Sequence, residues 1–389
     1  MEDRASAEAV AAREERLHQQ AAAETGLDDF GDDDYRAGLR VMLTEVGNNP
    51  KLTQADQGID ALLLALLKSR LYSEAGWKAR PAVLERTLRS PLVIVGVPRT
   101  GTTILHNLLW QDPQFQVLEH WLIDQPVPRP PVETWKDYPG YQLADVRQSA
   151  EDQAQRQKHH VEASEPDECI RLMSQSMLSG IFCSMWPVPE YDAWFFAQDE
   201  GPSYRRYADN LRLIGADDDR PFLLKNPNHV RRIDTVLDTW PDARIVLTHR
   251  DPLEQMPSIC SLLAGRRRKN PDSFDPLAIG ERELRVWSKA VEDAERVRQE
   301  RQVPIFDAYY AQLVTDPMRV VEGCYAHFGM ELRPEVRERM LKFLADNPQG
   351  KHGKHVYDAS EYGLDEDKIR AAFAPYIERH QLHQTPTTA

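Results

Sequence analysis

Pro91-Leu92-Val93-Ile94-Val95-Gly96-Val97-Pro98-Arg99-Thr100-Gly101-Thr102-Thr103 is the stretch on which the fold turns. Its first half is a short, continuous apolar run between Pro91 and Gly96, which suits a buried parallel strand. Its second half is a glycine-bearing turn. Beyond it, Ile104, Leu105, Leu108 and Leu109 fall at helical spacing over Thr102 to Gln111. Strand, glycine loop and helix together form a device for holding an anion. Backbone N–H groups at a helix start lack intrahelical partners, and the helix dipole places partial positive charge there. Gly96 and Gly101 let the backbone fold tightly against phosphate oxygens. Thr102 and Thr103 add hydroxyls in the first helical turn.

Working outward, three later segments repeat the buried-strand signature: 221–224, 243–248 and 303–308. Phe115 to Leu118 reads as a further short strand. Helical patterns over 229–240, 253–265, 280–301 and 317–328 separate or follow them. Strands alternating with helices imply an α/β fold, a P-loop-type parallel sheet flanked by helices on both faces. Residues 1–90 carry no strand signal and are expected to form an N-terminal helical extension, with Leu62, Leu63, Leu66 and Leu67 on one helix face. Residues 91–389 are then the α/β domain. A helical insertion at about 155–215 is unusually rich in Met, Phe and Trp.

Composition narrows the function classes. The 389-residue chain has a net charge of −14, and residues 1–35 hold eleven acids against three bases. A nucleic-acid partner would require a broad basic face, so none is expected. Cys169, Cys183, Cys260 and Cys324 show no zinc-ribbon or redox spacing, which suits a reduced, cytoplasmic setting. His352 and His355 lie three apart but lack further ligands nearby, so no metal site is expected. The start of the sequence shows no basic segment followed by an apolar stretch, so no signal peptide is expected. The longest apolar run, Ala61 to Leu67, is too short to span a bilayer, so no transmembrane segment is expected.

The loop departs from the nucleoside-triphosphate pattern G-x-x-x-x-G-K-[ST] in one informative way. Gly96 and Gly101 have the right separation, but Thr102 occupies the position of the lysine that reaches the β- and γ-phosphates. The cation has moved to Arg99, inside the loop. P-R-[ST]-G-[TS]-[TS] after an apolar strand resembles the 5′-phosphosulfate loop of sulfotransferases that use 3′-phosphoadenosine 5′-phosphosulfate (PAPS). The resemblance runs from about residue 91 to 376 and extends to Trp240–Pro252, which is similar to the matching segment of bacterial and Golgi-type members. It implies phosphosulfate contacts from Arg99, Thr100, Gly101, Thr102 and Thr103. It also implies that Arg250, at a strand end, and Ser258, eight residues on, hold the 3′-phosphate. Tyr310 to Pro317 matches the family's last strand-to-helix turn.

For the chemistry, the resemblance implies a base near the second strand and a lysine at a K-[DN]-P motif. Lys225-Asn226-Pro227 supplies the lysine, expected to stabilise transition-state charge. The base falls on Glu119 or His120, with Glu119 preferred. Glu165 to Glu168, His159 and His160 are further candidates for the acceptor site. A late basic loop, Gln349 to His355, resembles the family's nucleotide lid and makes Lys351 and Lys354 candidate nucleotide contacts. The expected function is sulfonate transfer from PAPS to a hydroxyl or amine, by in-line displacement and without a metal. The Met-, Phe- and Trp-rich insertion, placed over the acceptor site, favours a hydrophobic small-molecule or lipid acceptor. A P-loop kinase or NTPase and a non-catalytic nucleotide-binding protein are the alternatives, and the N-terminal helices could serve a homodimer contact.

Overall fold

The computed structural model describes residues 6–150, 162–268, 274–347 and 358–382. Five parallel strands pair in the order β2-β3-β1-β4-β5. They are β1 (Leu92–Gly96), β2 (Gln116–Val117), β3 (Phe222–Lys225), β4 (Arg244–His249) and β5 (Ile305–Tyr309). Every residue of β1 is buried, which explains its uninterrupted apolar run: a central parallel strand has no solvent face to place polar side chains on. Ile94 pairs in register with Lys225, and Gly96 with Thr248. β3, β4 and β5 each run about one residue further than the apolar runs suggest. Their last polar residues, Lys225, His249 and Tyr309, remain in the ladder. β2 is shorter than expected, because only Gln116 and Val117 pair with β3 at the sheet edge.

The strand order places a switch beside β1. The connection after β1 leads toward β2, whereas the one after β4 leads to β5 on the other side. Such reversals leave room beyond the carboxyl ends of the two strands, where ligands settle in open α/β sheets. The loop after β1 and Arg250 after β4 both emerge at that place.

The chain divides into two compact units. One holds residues 89–117, 220–266 and 275–389, and so the whole sheet. Its core packs Leu92, Ile94 and Val246 against Leu105, Leu108 and Leu109 of the helix Thr102–Leu109 and Val321 of the helix Pro317–His327. Each such side chain, taken fully out of water, contributes about 1.5–3 kcal/mol before the entropy cost of ordering it.

The other unit holds residues 1–88, 118–219 and 267–274. The segment read as helical over 155–215 forms four short helices where described: Ile170–Met173, Gly180–Met185, Pro189–Phe196 and Gly201–Ile214. Pro189 and Pro202 stand in the first turns of the last two, where their missing N–H groups cost little. Met177, Phe182, Trp186, Tyr191 and Phe195 are buried in one core with Leu39, Met42, Leu63 and Leu67 of the N-terminal helices. The acidic start of the chain is ordered by ion pairs. Glu14 meets Arg36 and Arg40, while Arg13 meets Asp56 and Asp60. Arg70, fully buried, donates to the carbonyls of Phe30 and Asp32 and to Asp34, and its guanidinium lies 4.2 Å from the centroid of the Tyr35 ring. Among the described residues, no helix is long and apolar enough to cross a membrane.

Candidate active site

The loop after β1 is wound tightly, and the sequence allows it at two glycines. Gly96 has φ 151°, and a Cβ there would stand 2.2 Å from Thr248 Oγ1. Gly101 has φ 92° and opens the helix Thr102–Leu109. Between them Arg99 takes φ 72°, a left-handed conformation that a non-glycine residue adopts only at a cost of about 1–2 kcal/mol. Hydrogen bonds hold it there. Arg250 Nη1 donates to Arg99 O at 3.0 Å, Gln255 Nε2 donates to Pro98 O at 3.1 Å, and Thr100 Oγ1 donates to Val97 O at 2.7 Å. The Thr100 and Thr248 hydroxyls also bond to each other, tying the loop to β4. The strain sits where an anion site would use it, with surrounding structure fixing the conformation.

The structure brings Arg99, Arg250 and Ser258 together. Arg99 Nε donates to Ser258 Oγ at 3.1 Å. Arg250 lies with its guanidinium carbon 4.1 Å from the Tyr310 ring centroid and pairs with Glu254 at 3.2 Å. Ser258 is buried on the helix Pro252–Arg267, whose start is fixed by Asp251 accepting from Leu253 N at 2.9 Å. Thr102 is buried and Thr103 exposed in the first turn after the loop. Lys225 is buried at the end of β3, adjacent to β1, so it leaves the sheet at the same carboxyl end as the loop. Asn226 N continues the ladder to Ile94 O at 3.2 Å, and its side chain caps the following turn through Asn228 N. Two guanidiniums, a hydroxyl and loop amides at one end of a sheet are groups of the kind that hold an anion.

Sequence reasoning missed the residues that hold this site from behind. Tyr310 stacks on Arg250, and Gln255 pins Pro98. His249, next to Arg250, is fully buried in a polar cluster. Its Nε2 faces Asp307 Oδ1 at 2.8 Å and its Nδ1 faces the Tyr376 hydroxyl at 2.9 Å. A carboxylate only accepts, so Nε2 donates to Asp307 and Nδ1 accepts from Tyr376. His380 stacks on His249 with ring centroids 4.0 Å apart and reaches Glu295 at 2.9 Å. Burial pushes the His249 imidazole down to about 4, against the opposing pull of Asp307. Burial opposes ionisation of Asp307 too, yet hydrogen bonds from Arg298 and His249 hold its carboxyl well below the usual range. Ligand-type atoms of His249, Asp307 and His380 lie within 4.8 Å of one another. All four ring nitrogens of the two histidines already face hydrogen-bonding partners, His380 Nδ1 meeting the Tyr309 hydroxyl at 3.3 Å, so the cluster works as a polar lock on the helix Glu366–His380. A charged residue inside an otherwise apolar strand, Asp307, was the one sequence signal for it.

The two base candidates stand in the helical unit, and their surroundings differ. Glu119 is buried and engaged by Arg129, whose Nε lies 3.0 Å from Oε1 and whose Nε and Nη2 lie 3.1 Å from Oε2. His120 Nδ1 faces Asp167 Oδ2 at 2.7 Å. Asp167 belongs to the Glu165–Glu168 run. Glu165 itself accepts from Glu162 N at 2.9 Å, a local turn contact. Lys351, Lys354, His159 and His160 lie outside the described residues.

Comparison with known proteins gives the site its context. The curated relatives include the omega-hydroxy-beta-dihydromenaquinone-9 sulfotransferase of Mycobacterium bovis, 24% identical over 276 residues, covering 66% of this chain and 67% of the relative. The crystal structure of sulfotransferase STF1 from Mycobacterium tuberculosis superposes with a TM-score of 0.80 at 33% identity, covering 93% of this chain and 98% of that one. Sulfotransferase STF9 from Mycobacterium avium gives 0.87 at 28% identity, covering 94% and 96%. A sulfotransferase-family model matches residues 91–334, a span that holds the loop, Lys225 and the Arg250–Ser258 pair. With the greater part of the chain under that match, the protein belongs to the sulfotransferase family.

Proposed function

We propose that the protein moves a sulfonate group from PAPS to the hydroxyl of a hydrophobic acceptor. The observation that supports the donor best is the convergence of Arg99, Arg250 and Ser258 on one patch behind a loop that carries Thr102 in place of the nucleoside-triphosphate lysine. Arg250 and Ser258 take the 3′-phosphate. The amides of Thr100 to Thr103 and the hydroxyls of Thr102 and Thr103 take the 5′-phosphosulfate, with Arg99 between the two. Lys225 offsets charge as it builds on the transferring group. The acceptor oxygen attacks sulfur, the bond from sulfur to the bridging phosphate oxygen breaks, and 3′-phosphoadenosine 5′-phosphate (PAP) departs. The acceptor's proton passes to a base, for which Glu119 and His120 are the candidates. Lys351 and Lys354 are proposed nucleotide contacts. A hydroxylated lipid or quinone is favoured as acceptor by the curated relative's name. Four free cysteines, all buried, fit a reduced, cytoplasmic setting.

The test is transfer of labelled sulfonate from PAPS to 1-dodecanol, 2-naphthol and a hydroxylated menaquinone. A sulfated product from the wild type, lost in Arg99→Ala, is expected. Binding of ATP with Mg²⁺ at an affinity equal to or above that for PAP, with no sulfated product, would replace this reading by a P-loop NTPase.

A further inference from the structure

The last paired residues of β4 and β5, His249 and Tyr309, stand in register, so Arg250 and Tyr310 leave the sheet side by side. Arg250 then lies over the Tyr310 ring, its guanidinium carbon 4.1 Å from the centroid. Its other contacts constrain it less. The pair with Glu254 is an i,i+4 contact to a side chain 44% exposed, a kind that holds its partner only weakly. The Nη1 bond goes to Arg99 O, in the loop that Arg250 itself helps to hold. The aromatic platform is therefore the larger constraint, and whatever fixes the platform fixes Arg250.

The platform is gripped by the helix Glu366–His380. The His249 and Tyr309 rings stack with centroids 5.1 Å apart, and His380 lies on His249 at 4.0 Å. Two relays of hydrogen bonds run in parallel. The Tyr376 hydroxyl donates to His249 Nδ1, whose ring donates from Nε2 to Asp307. The Tyr309 hydroxyl donates to His380 Nδ1, whose ring donates from Nε2 to Glu295. The carboxylates set these directions, because they can only accept. Arg298 anchors Asp307 at 2.8 Å, and Arg379 anchors Glu295 at 2.7 Å. With each proton given one direction, the neutral network has a single arrangement. His249, Tyr376 and His380 are buried, so a ring nitrogen that loses its hydroxyl partner gains no water in exchange, and the ring has reason to shift.

We propose that the helix Glu366–His380 is part of the donor-recognition apparatus. Tyr376 and His380 are its positioning residues: they hold His249 and Tyr309 and, through them, the guanidinium of Arg250. This rests on the PAPS reading above, in which Arg250 takes the 3′-phosphate. The helix then contributes to the choice between nucleotides with and without that phosphate, acting through Arg250 rather than on the ligand. Ile369, Phe373 and Ile377 of the same helix are buried, which keeps the helix docked when one polar contact is removed. Loss of one hydroxyl or imidazole therefore loosens the platform and leaves the fold in place.

The experiment titrates full-length wild type, Tyr376→Phe and His380→Gln with PAP and with ADP, which lacks the 3′-phosphate, by calorimetry, with circular dichroism to confirm the fold. Each variant should bind PAP roughly 5–10-fold more weakly, as loss of about one buried hydrogen bond would give, and ADP within about twofold of the wild type. With 2-naphthol as acceptor, the KM for PAPS should rise while kcat stays within about twofold. In an Arg250→Ala background, Tyr376→Phe should cost no further PAP affinity. A merely structural role would weaken both nucleotides alike. An unchanged PAP-to-ADP preference in both variants would overturn the proposal, as would PAP losses that add to that of Arg250→Ala. A second readout needs no nucleotide. In protein labelled with ¹⁵N at arginine, the Arg250 Nε–H signal, assigned by difference from Arg250→Ala, should be displaced by the Tyr310 ring. It should move toward its position in Tyr310→Leu when Tyr376 or His380 is changed, and no movement in either variant would also overturn the proposal. Wild-type protein with equal affinity for PAP and ADP would overturn the PAPS reading instead, and the Arg250 signal would still decide whether the helix positions that side chain.

Discussion

The loop after β1 and the Glu119–His120 segment are two ways of placing polar side chains in one chain. The loop is local: Gly96 to Thr103 fold on themselves, and their partners, Thr248 to Ser258, form one further short run. The Glu119–His120 segment is not local. His120 depends on Asp167, 47 positions away, and on a two-stranded ladder that apolar patterning does not announce. A local cradle can be read as a motif, whereas a side chain oriented across distant backbone has to be seen folded.

The comparison can be broken first at the loop. Arg99→Ala removes the cation that touches Ser258 and should lower sulfonate transfer by roughly 10²–10³-fold, as deletion of a transition-state charge partner does. Far-ultraviolet circular dichroism should be unchanged. A drop of less than tenfold would mean that the loop amides alone carry the charge.

Gly96→Ala attacks the same region through packing. The new Cβ would lie 2.2 Å from Thr248 Oγ1 and 3.1 Å from Thr100 Oγ1, on backbone with φ 151°. Destabilisation of about 3 kcal/mol is expected, read as a fall in the urea midpoint at constant slope. Full stability would mean that β1 and β4 can part at this point without cost.

Acid sharpens the contrast between the loop and the lock behind it. His249 is held neutral, with its imidazole pushed down to about 4 by burial, and burial pushes His229 down to about 3. An unfolded histidine titrates at about 6.5, so the unfolded chain takes up protons first. Stability contributed by the neutral rings is complete above about pH 6.5 and declines as pH falls toward about 4. For His249 the loss is at most on the order of 3 kcal/mol. Tyr376→Phe removes the hydroxyl that His249 Nδ1 accepts from, at a cost of about 1 kcal/mol, and should move the acid midpoint of unfolding upward. An acid midpoint unchanged by this substitution would show that the helix Glu366–His380 is held by its apolar contacts alone.

Much of the sheet was legible, for a physical reason. A parallel strand buried on both faces must be largely apolar, so β1, β3 and β4 stand out as runs whose ends fall within about two residues of the observed strands, while β5, part-buried at the sheet edge, is legible from its shorter apolar stretch. β2 was less so, because two paired residues at an edge leave little pattern. Arg99, Arg250 and Ser258 were legible because the cradle is a contiguous motif. His249 was passed over beside Arg250, since its partner Tyr376 stands 127 positions away and only the topology joins them. Met177, Phe182, Trp186, Tyr191 and Phe195 of the Met-, Phe- and Trp-rich segment pack with the N-terminal helices, and composition alone does not say which of its apolar residues face a core.

The central claim is that the loop and the Arg250–Ser258 pair together select a 3′-phosphorylated nucleotide. Calorimetric titration of the full-length protein with PAP and with ADP, which lacks the 3′-phosphate, tests it directly. PAP is predicted to bind at least 100-fold more tightly, a difference of about 2.7 kcal/mol, with the preference falling below tenfold in Arg250→Ala. Equal affinity for PAP and ADP in the wild type would contradict the account.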